Sequence, residues 1–106
     1  MPLTRDFKHT VVARVRRDPA FRRALLREGI ECLLAGDVET GKAALRDYVN
    51  ATVGFAGLAE ATGIPSKSLM RMFGPAGNPR ADNLFGIVAF LQKREGVRFH
   101  LRAAHT

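Results

Sequence analysis

Gly74-Pro75-Ala76-Gly77-Asn78-Pro79 is a stretch that no helix can cross. Its two prolines lack an amide donor and its glycines weaken helical backbone. Lesser breaks recur at Asp18-Pro19, Gly36-Asp37, Gly54, Gly63 and Gly96, and the apolar residues between them fall at helical spacing. The chain is therefore confined to a succession of short helices. Phe7, Val11, Val12 and Val15 make one amphipathic helix ending near Asp18. Asp18-Pro19 reads as an N-cap followed by proline at the first helical position. Phe21, Leu25, Leu26, Ile30, Leu33 and Leu34 give a second helix a broad apolar face, with Gly36 to end it in the left-handed conformation and Asp37 to cap the next. Leu45, Tyr48, Val49 and Thr52 face inward from a third, expected to stop at Gly54.

Two shorter helices are expected over residues 55–62 and 66–73. Asn78 or a close neighbour would cap a last helix carrying Leu84, Ile87, Val88 and Leu91 and ending before Gly96. Val97, Phe99 and Leu101 then alternate with Arg98, His100 and Arg102, a short strand signal. Such a strand would pair with a second subunit or a target protein, or fray. The expected fold is all-α, with five or six helices and a short C-terminal β-strand. Residues 1–53 pack on residues 54–106 in one compact domain, which is what 106 residues accommodate.

Charge narrows the partner. Seventeen Lys and Arg against ten Asp and Glu give +7, and thirteen of the cations are arginine, whose planar fork suits phosphate and guanine edges. A polyanion is the first expectation. The longest apolar run, from Ile87 to Leu91, is far short of the roughly 20 residues a membrane helix needs. The first residues, MPLTRDFKHT, have no apolar run of the signal-peptide kind, so a cytoplasmic location is expected. Cys32 has no cysteine to pair with, and no zinc-ligand spacing can be drawn from it with His9, His100 and His105. No metal or cofactor is expected, and no nucleophile, base or metal set suggests an enzyme.

The charge is uneven. Residues 1–30 carry eight cations and three acids, residues 31–53 two cations and four acids. Arg14, Arg16, Arg17, Arg22, Arg23 and Arg27 read first as a solvated face of two helices, and otherwise as a phosphate or partner surface. Residues 65–80 hold Lys67, Arg71 and Arg80 without an acid, and they overlap the most informative segment, FAGLAEATGIPSKSLMRMFG, residues 55–74. Two helices crossing steeply need a small residue where they touch, here Ala59 beside Leu58, and a tight turn tolerant of positive φ, here Gly63. Ile64, Leu69 and Met72 would hold the second helix on the core. Ser66, Lys67, Met70 and Arg71 would stay exposed, a face that fits a major groove in shape and charge. An ordinary helical hairpin is the bland alternative.

The run LAEATGIPSKSLMRMFGPAGNPRADNLFGIVAFLQ resembles the Cro/C1-type (XRE-like) helix-turn-helix proteins. Within them it is similar to the addiction-module antidote group, the HigA-like antitoxins and related small regulators. The matching elements are Leu58-Ala59, Thr62-Gly63, Ser68-Leu69, Gly77-Asn78-Pro79-Arg80 and Gly96-Val97, with a weaker upstream match at residues 33–37 and at Ala44-Leu45. The resemblance implies that Ser66, Lys67 and Arg71 read bases. It implies that Ser68 bonds phosphate or braces the turn, and that Asn78 and Arg80 clamp the DNA backbone. Pro65 departs from the pattern by occupying the usual polar N-cap slot, and Phe55 by standing where many relatives place a glutamine. Thr62 stands where an apolar residue is commoner.

Gly36-Asp37-Val38-Glu39-Thr40-Gly41-Lys42 satisfies most of a phosphate-loop pattern, yet Ala43 offers no hydroxyl for magnesium and Asp37 and Glu39 would repel phosphate. It is read as a helix break. Cys32 is read as a small buried residue and the tail histidines as solvated. The expected function is a sequence-specific, double-stranded DNA-binding regulator, a repressor that binds an inverted repeat as a homodimer. One alternative is an antitoxin whose main role is to bind a toxin protein, through the N-terminal helices or the Val97 to Leu101 strand. Another is a non-specific nucleic-acid or RNA-binding module. No membrane partner is expected.

Overall fold

The computed structural model describes residues 2–105, with side chains from His9 onward. Among the described residues six helices follow one another: α1 (Pro2–Arg17), α2 (Pro19–Leu34), α3 (Val38–Ala51), α4 (Gly54–Thr62), α5 (Ser66–Met72) and α6 (Ala81–Glu95). The fold is all-α. The inward role expected of Phe7 falls outside the described side chains.

The helix boundaries arise from local hydrogen bonding. Asp18 accepts the Phe21 amide at 3.1 Å with Pro19 opening α2, and Asp37 accepts the Thr40 amide at 3.4 Å to start α3. The Phe21 amide, helped by the charge of Arg14, holds the Asp18 carboxyl below its ordinary range. At the end of α2 the Asp37 amide reaches back to the Cys32 carbonyl and Gly36 to that of Leu33, with Gly36 at φ 87°. The same pair of bonds ends α6, where Val97 bonds Gln92 and Gly96 bonds Lys93. Both are Schellman closures, which satisfy carbonyls that a bare helix end leaves open.

The core joins five helices. Leu26 of α2, Leu45, Tyr48 and Val49 of α3, Phe55 and Leu58 of α4, Leu69 of α5, and Ile87, Val88 and Leu91 of α6 are buried together with Phe73. Val15 brings in α1, also fully buried. The helix pair α2–α3 packs most closely because two glycines face each other there: a Cβ on Gly41 would stand 2.9 Å from the Gly29 carbonyl oxygen. Among the described residues no helix is long and apolar enough to cross a membrane.

Four expectations are corrected. No strand forms among the described residues: residues 97–105 run without regular structure after α6. Val97 and Phe99 instead turn onto the helical core, and the Phe99 amide is taken by the Gln92 side chain at 2.9 Å. The alternating pattern is thus answered by a helix surface, while Leu101 remains 83% exposed. Second, neither Asn78 nor a close neighbour caps α6 with its side chain. Arg80 occupies that position without a side-chain bond, and Asp82 accepts the Asn83 amide at 2.9 Å inside the first turn. Third, α3 stops at Ala51, where the Thr52 hydroxyl takes the Tyr48 carbonyl at 2.7 Å; Gly54, at φ 76°, opens α4. Fourth, Cys32 is only partly buried, and burial together with Asp37, Glu28 and Glu31 pushes its thiol up, away from the reactive thiolate.

Candidate nucleic-acid interface

The segment singled out by sequence forms α4, a glycine turn and α5. Leu58 and Leu69 are fully buried, and Ala59, Ile64 and Met72 pack partly buried around them. Gly63 sits at φ 76° between the helices, and its amide returns to the Ala59 carbonyl at 2.8 Å. Thr62 has a use that an apolar residue would not. Its hydroxyl donates to the Leu58 carbonyl at 2.8 Å and accepts the Ile64 amide at 3.3 Å, closing the turn from both sides. Phe55 is core, with its ring 6.1 Å from that of Phe73. Pro65 leaves α5 without a side-chain cap, while its carbonyl accepts the Leu69 amide at 3.0 Å.

Of the expected contact residues, Lys67 and Arg71 lie one turn apart on the exposed side of α5, with Met70 between them at 54% exposure. Ser66 is different. It is half-buried, and its hydroxyl donates to the Phe55 carbonyl at 3.4 Å, tying α5 to the start of α4. Ser68 is half-buried too, and Asn78 is exposed in the loop before α6. Arg80 projects with its side chain 79% exposed but pairs with Asp82 at 3.1 Å. In water so exposed a pair contributes little, so a phosphate can displace the carboxylate.

The loop between α5 and α6 is braced from α3, which sequence reasoning missed. Lys42, 1% exposed, directs its ammonium at the Gly74 carbonyl (2.9 Å), the Gly77 carbonyl (2.8 Å) and the Glu39 carboxylate (3.0 Å). An ammonium has three N–H donors, and each has an acceptor here. Arg46, one turn on, donates to the Phe73 carbonyl at 3.2 Å. Two cations thus gather the carbonyls at the end of α5 and in the loop, where a helix C-terminus favours positive charge. The phosphate-loop resemblance resolves into these roles: Gly41 permits the α2–α3 approach, and Lys42 is committed to peptide oxygens. The signal was present, since Lys42 stands three residues before Leu45 on the inward stripe of its helix.

Gly77 completes the brace. A Cβ there would lie 2.0 Å from the Arg71 carbonyl oxygen and 2.6 Å from that of Met72, both backbone atoms that cannot move aside. Gly77→Ala is therefore expected to destabilise the fold by at least about 2 kcal/mol, read as a shift of the urea midpoint. A midpoint unchanged within error would mean that the loop does not approach α5 as closely as described.

The N-terminal arginines divide by partner. Arg14 stacks 4.5 Å over the Phe21 ring and pairs with Asp18 at 3.6 Å, and Arg27 pairs with Glu31 at 3.6 Å. Arg16 donates to the Ala51 carbonyl at 3.3 Å, Arg22 to both oxygens of Glu95 at 2.9 and 3.0 Å, and Arg23 lies 3.5 Å from Glu95. Arg17 is exposed. Much of that cationic face is thus engaged within the protein. Glu95 also accepts a hydrogen bond from the Tyr48 hydroxyl. Comparison of the chain with family models, with curated proteins and with solved structures returns no match.

Proposed function

We propose that this protein is a helix-turn-helix regulator that binds duplex DNA by sequence, with α5 as its recognition helix. The observation that carries the reading is the presentation of α5. Leu69 anchors it, the Gly63 turn sets it against α4, and Lys67, Met70 and Arg71 are left facing solvent beside a loop braced by Lys42. Lys67 and Arg71 supply charge on one helix face, and Met70 between them offers an apolar surface to a thymine methyl. Asn78 and Arg80 contact the flanking phosphates, with Ser68 beside them. Ser66 acts mainly through the turn, because its hydroxyl is held by Phe55. A helix of this length reads only a few base pairs, so the protein binds as a homodimer on an inverted repeat, as a repressor does.

Selection of bound sites from a random duplex pool, followed by gel shift, tests the reading. Arg71→Ala should cost roughly 1–3 kcal/mol on the selected site and relax its preference at one base pair. If the variant binds the selected and scrambled sites as the parent does, α5 is not the recognition helix. Equal affinity for unrelated duplexes with a steep salt dependence would favour a non-specific module.

One observation favours a second reading, an antitoxin that neutralises a toxin protein. Leu34 is 58% exposed and Leu101 83%, and both line a groove between α2 and residues 99–104 that also holds Ile30 and Phe99. A partner protein would cover such a surface. Co-expression with the product of a neighbouring reading frame, and its recovery in a stable complex, would support it; an isolated gene would count against it.

A further inference from the structure

Arg16, Arg22, Arg23 and Arg94 line a cleft of about 320 Å³, together with Ala51, Thr52 and Glu95. The four guanidiniums come from α1, α2 and α6, so the fold and not local sequence assembles them. Arg22 is engaged with Glu95 through its Nε and with the Val15 carbonyl through Nη1 at 3.2 Å. Arg16 spends its Nε on Ala51, keeping its terminal amino groups. Arg23 touches Glu95 through Nε with its side chain 52% exposed, and Arg94 is exposed.

The charges do not balance. Against four cations stand one carboxylate and the C-termini of α3 and α6, each equivalent to roughly half a negative charge. About two positive charges remain in a concave site. Glu95 offers an incoming anion little repulsion, because its side chain is 4% exposed and both oxygens already accept hydrogen bonds. The Thr52 hydroxyl donates to Tyr48, leaving recognition to the guanidiniums.

We propose that this cleft binds a small soluble phosphoryl anion, a phosphate or the diphosphate of a nucleotide, through Arg16, Arg23 and Arg94. The planar guanidinium fork matches phosphoryl oxygens two at a time, and a dianion offsets the surplus charge. The volume lies at the small end of ligand pockets, room for a phosphoryl head group and not for a large organic body. The site is separate from the DNA surface: Arg80 and Arg94 stand at opposite ends of α6, roughly 20 Å apart at 1.5 Å per residue. An occupant would tie α1, α2 and α6 together, so it would also stabilise the fold by binding the native state alone.

Isothermal titration of the full chain with sodium pyrophosphate at constant ionic strength tests this, run beside Arg94→Gln and Arg23→Gln. The expected result is saturable one-to-one binding that each variant weakens about tenfold or more. The unliganded variants should unfold within a few degrees of the parent, at roughly the scale of exposed substitutions. Absence of saturable binding overturns the proposal, as does binding that both variants leave unchanged. Reduced duplex-DNA affinity in Arg94→Gln without any pyrophosphate binding also overturns it, and would assign the cleft to a DNA backbone.

Discussion

Lys42→Met is expected to lower stability by about 2–4 kcal/mol and to release the loop between α5 and α6. Methionine keeps the unbranched apolar stem, so the substitution opens little cavity and isolates the ammonium. What is lost is the donor to the Gly74 and Gly77 carbonyls, and the Glu39 carboxylate loses its partner. Glu39 is 65% exposed and simply returns to water, so the cost lies with the two loop carbonyls. At roughly 4–8 °C per kcal/mol for a domain of this size, the thermal midpoint should fall by about 8–32 °C.

The same substitution distinguishes a brace from a bystander. The loop carries Asn78 and leads to Arg80, so on the proposed DNA-binding reading affinity for duplex should fall even though residue 42 lies beneath the loop, 1% exposed. Measured at a temperature where Lys42→Met remains folded, the loss on the selected site should equal or exceed that of Arg80→Ala. Amide hydrogen exchange gives a readout independent of DNA. The Gly77 amide, bonded to the Gly74 carbonyl at 3.0 Å, should exchange faster in the variant while the α2 and α3 core amides stay protected. An unchanged urea midpoint with unchanged Gly77 exchange would show that Lys42 contributes no more than its stem.

How far the sequence could be read depended on the range of the force at work. Asp18, Gly36, Asp37, Gly63 and Gly96 act over three to five residues through caps and turns, and each boundary they mark is present in the structure. The inward stripes of Leu45 and Val49, of Leu58, and of Ile87 and Leu91 were legible for the same reason, because period and burial coincide. The strand signal at Val97 to Leu101 was ambiguous by nature. Alternation states that one side of an extended chain is covered, and a helix surface covers Val97 and Phe99 as a second strand would.

The braces were illegible because their partners are distant. Lys42 meets Gly74 and Gly77 across more than thirty residues, and Arg22 meets Glu95 across 73. A lysine on an apolar stripe announces that it needs acceptors, but not which ones. The six N-terminal arginines could not be divided from composition into engaged and exposed. Once Arg22 and Arg23 are placed on Glu95 and Arg16 on Ala51, the surplus that remains lies in the cleft near Arg94, while Lys67 and Arg71 stay exposed on α5.

Glu95→Gln should be the other severe substitution, and its cost should depend on pH. The Glu95 carboxylate joins α2, α3 and α6: Arg22 holds both oxygens, Arg23 lies beside one, and the buried Tyr48 hydroxyl donates to the other. Burial alone would raise its pKa. The hydrogen bonds from Tyr48 and Arg22, with the charges of Arg22 and Arg23, outweigh burial and hold the carboxyl below the ordinary glutamate range. Tyr48 is held protonated, first by its burial and then by the bond to Glu95. A group whose folded pKa is depressed stabilises the fold above its unfolded value, near pH 4.5, and loses that contribution as pH falls through the folded value. At neutral pH, Glu95→Gln leaves Arg22 half-satisfied in a largely buried position, at a cost of about 2–4 kcal/mol. As pH falls below the unfolded value and through the lowered folded value, the parent carboxyl becomes protonated, so the two proteins should converge in thermal midpoint. A double-mutant cycle with Tyr48→Phe separates the two bonds. Because the hydroxyl and the arginine act on one carboxylate, the costs should couple by roughly 0.5–3 kcal/mol and not add. A parent–variant gap that stays constant from neutral pH to acid would mean that the charge of Glu95 contributes nothing, and that only the shape of its side chain holds the three helices together.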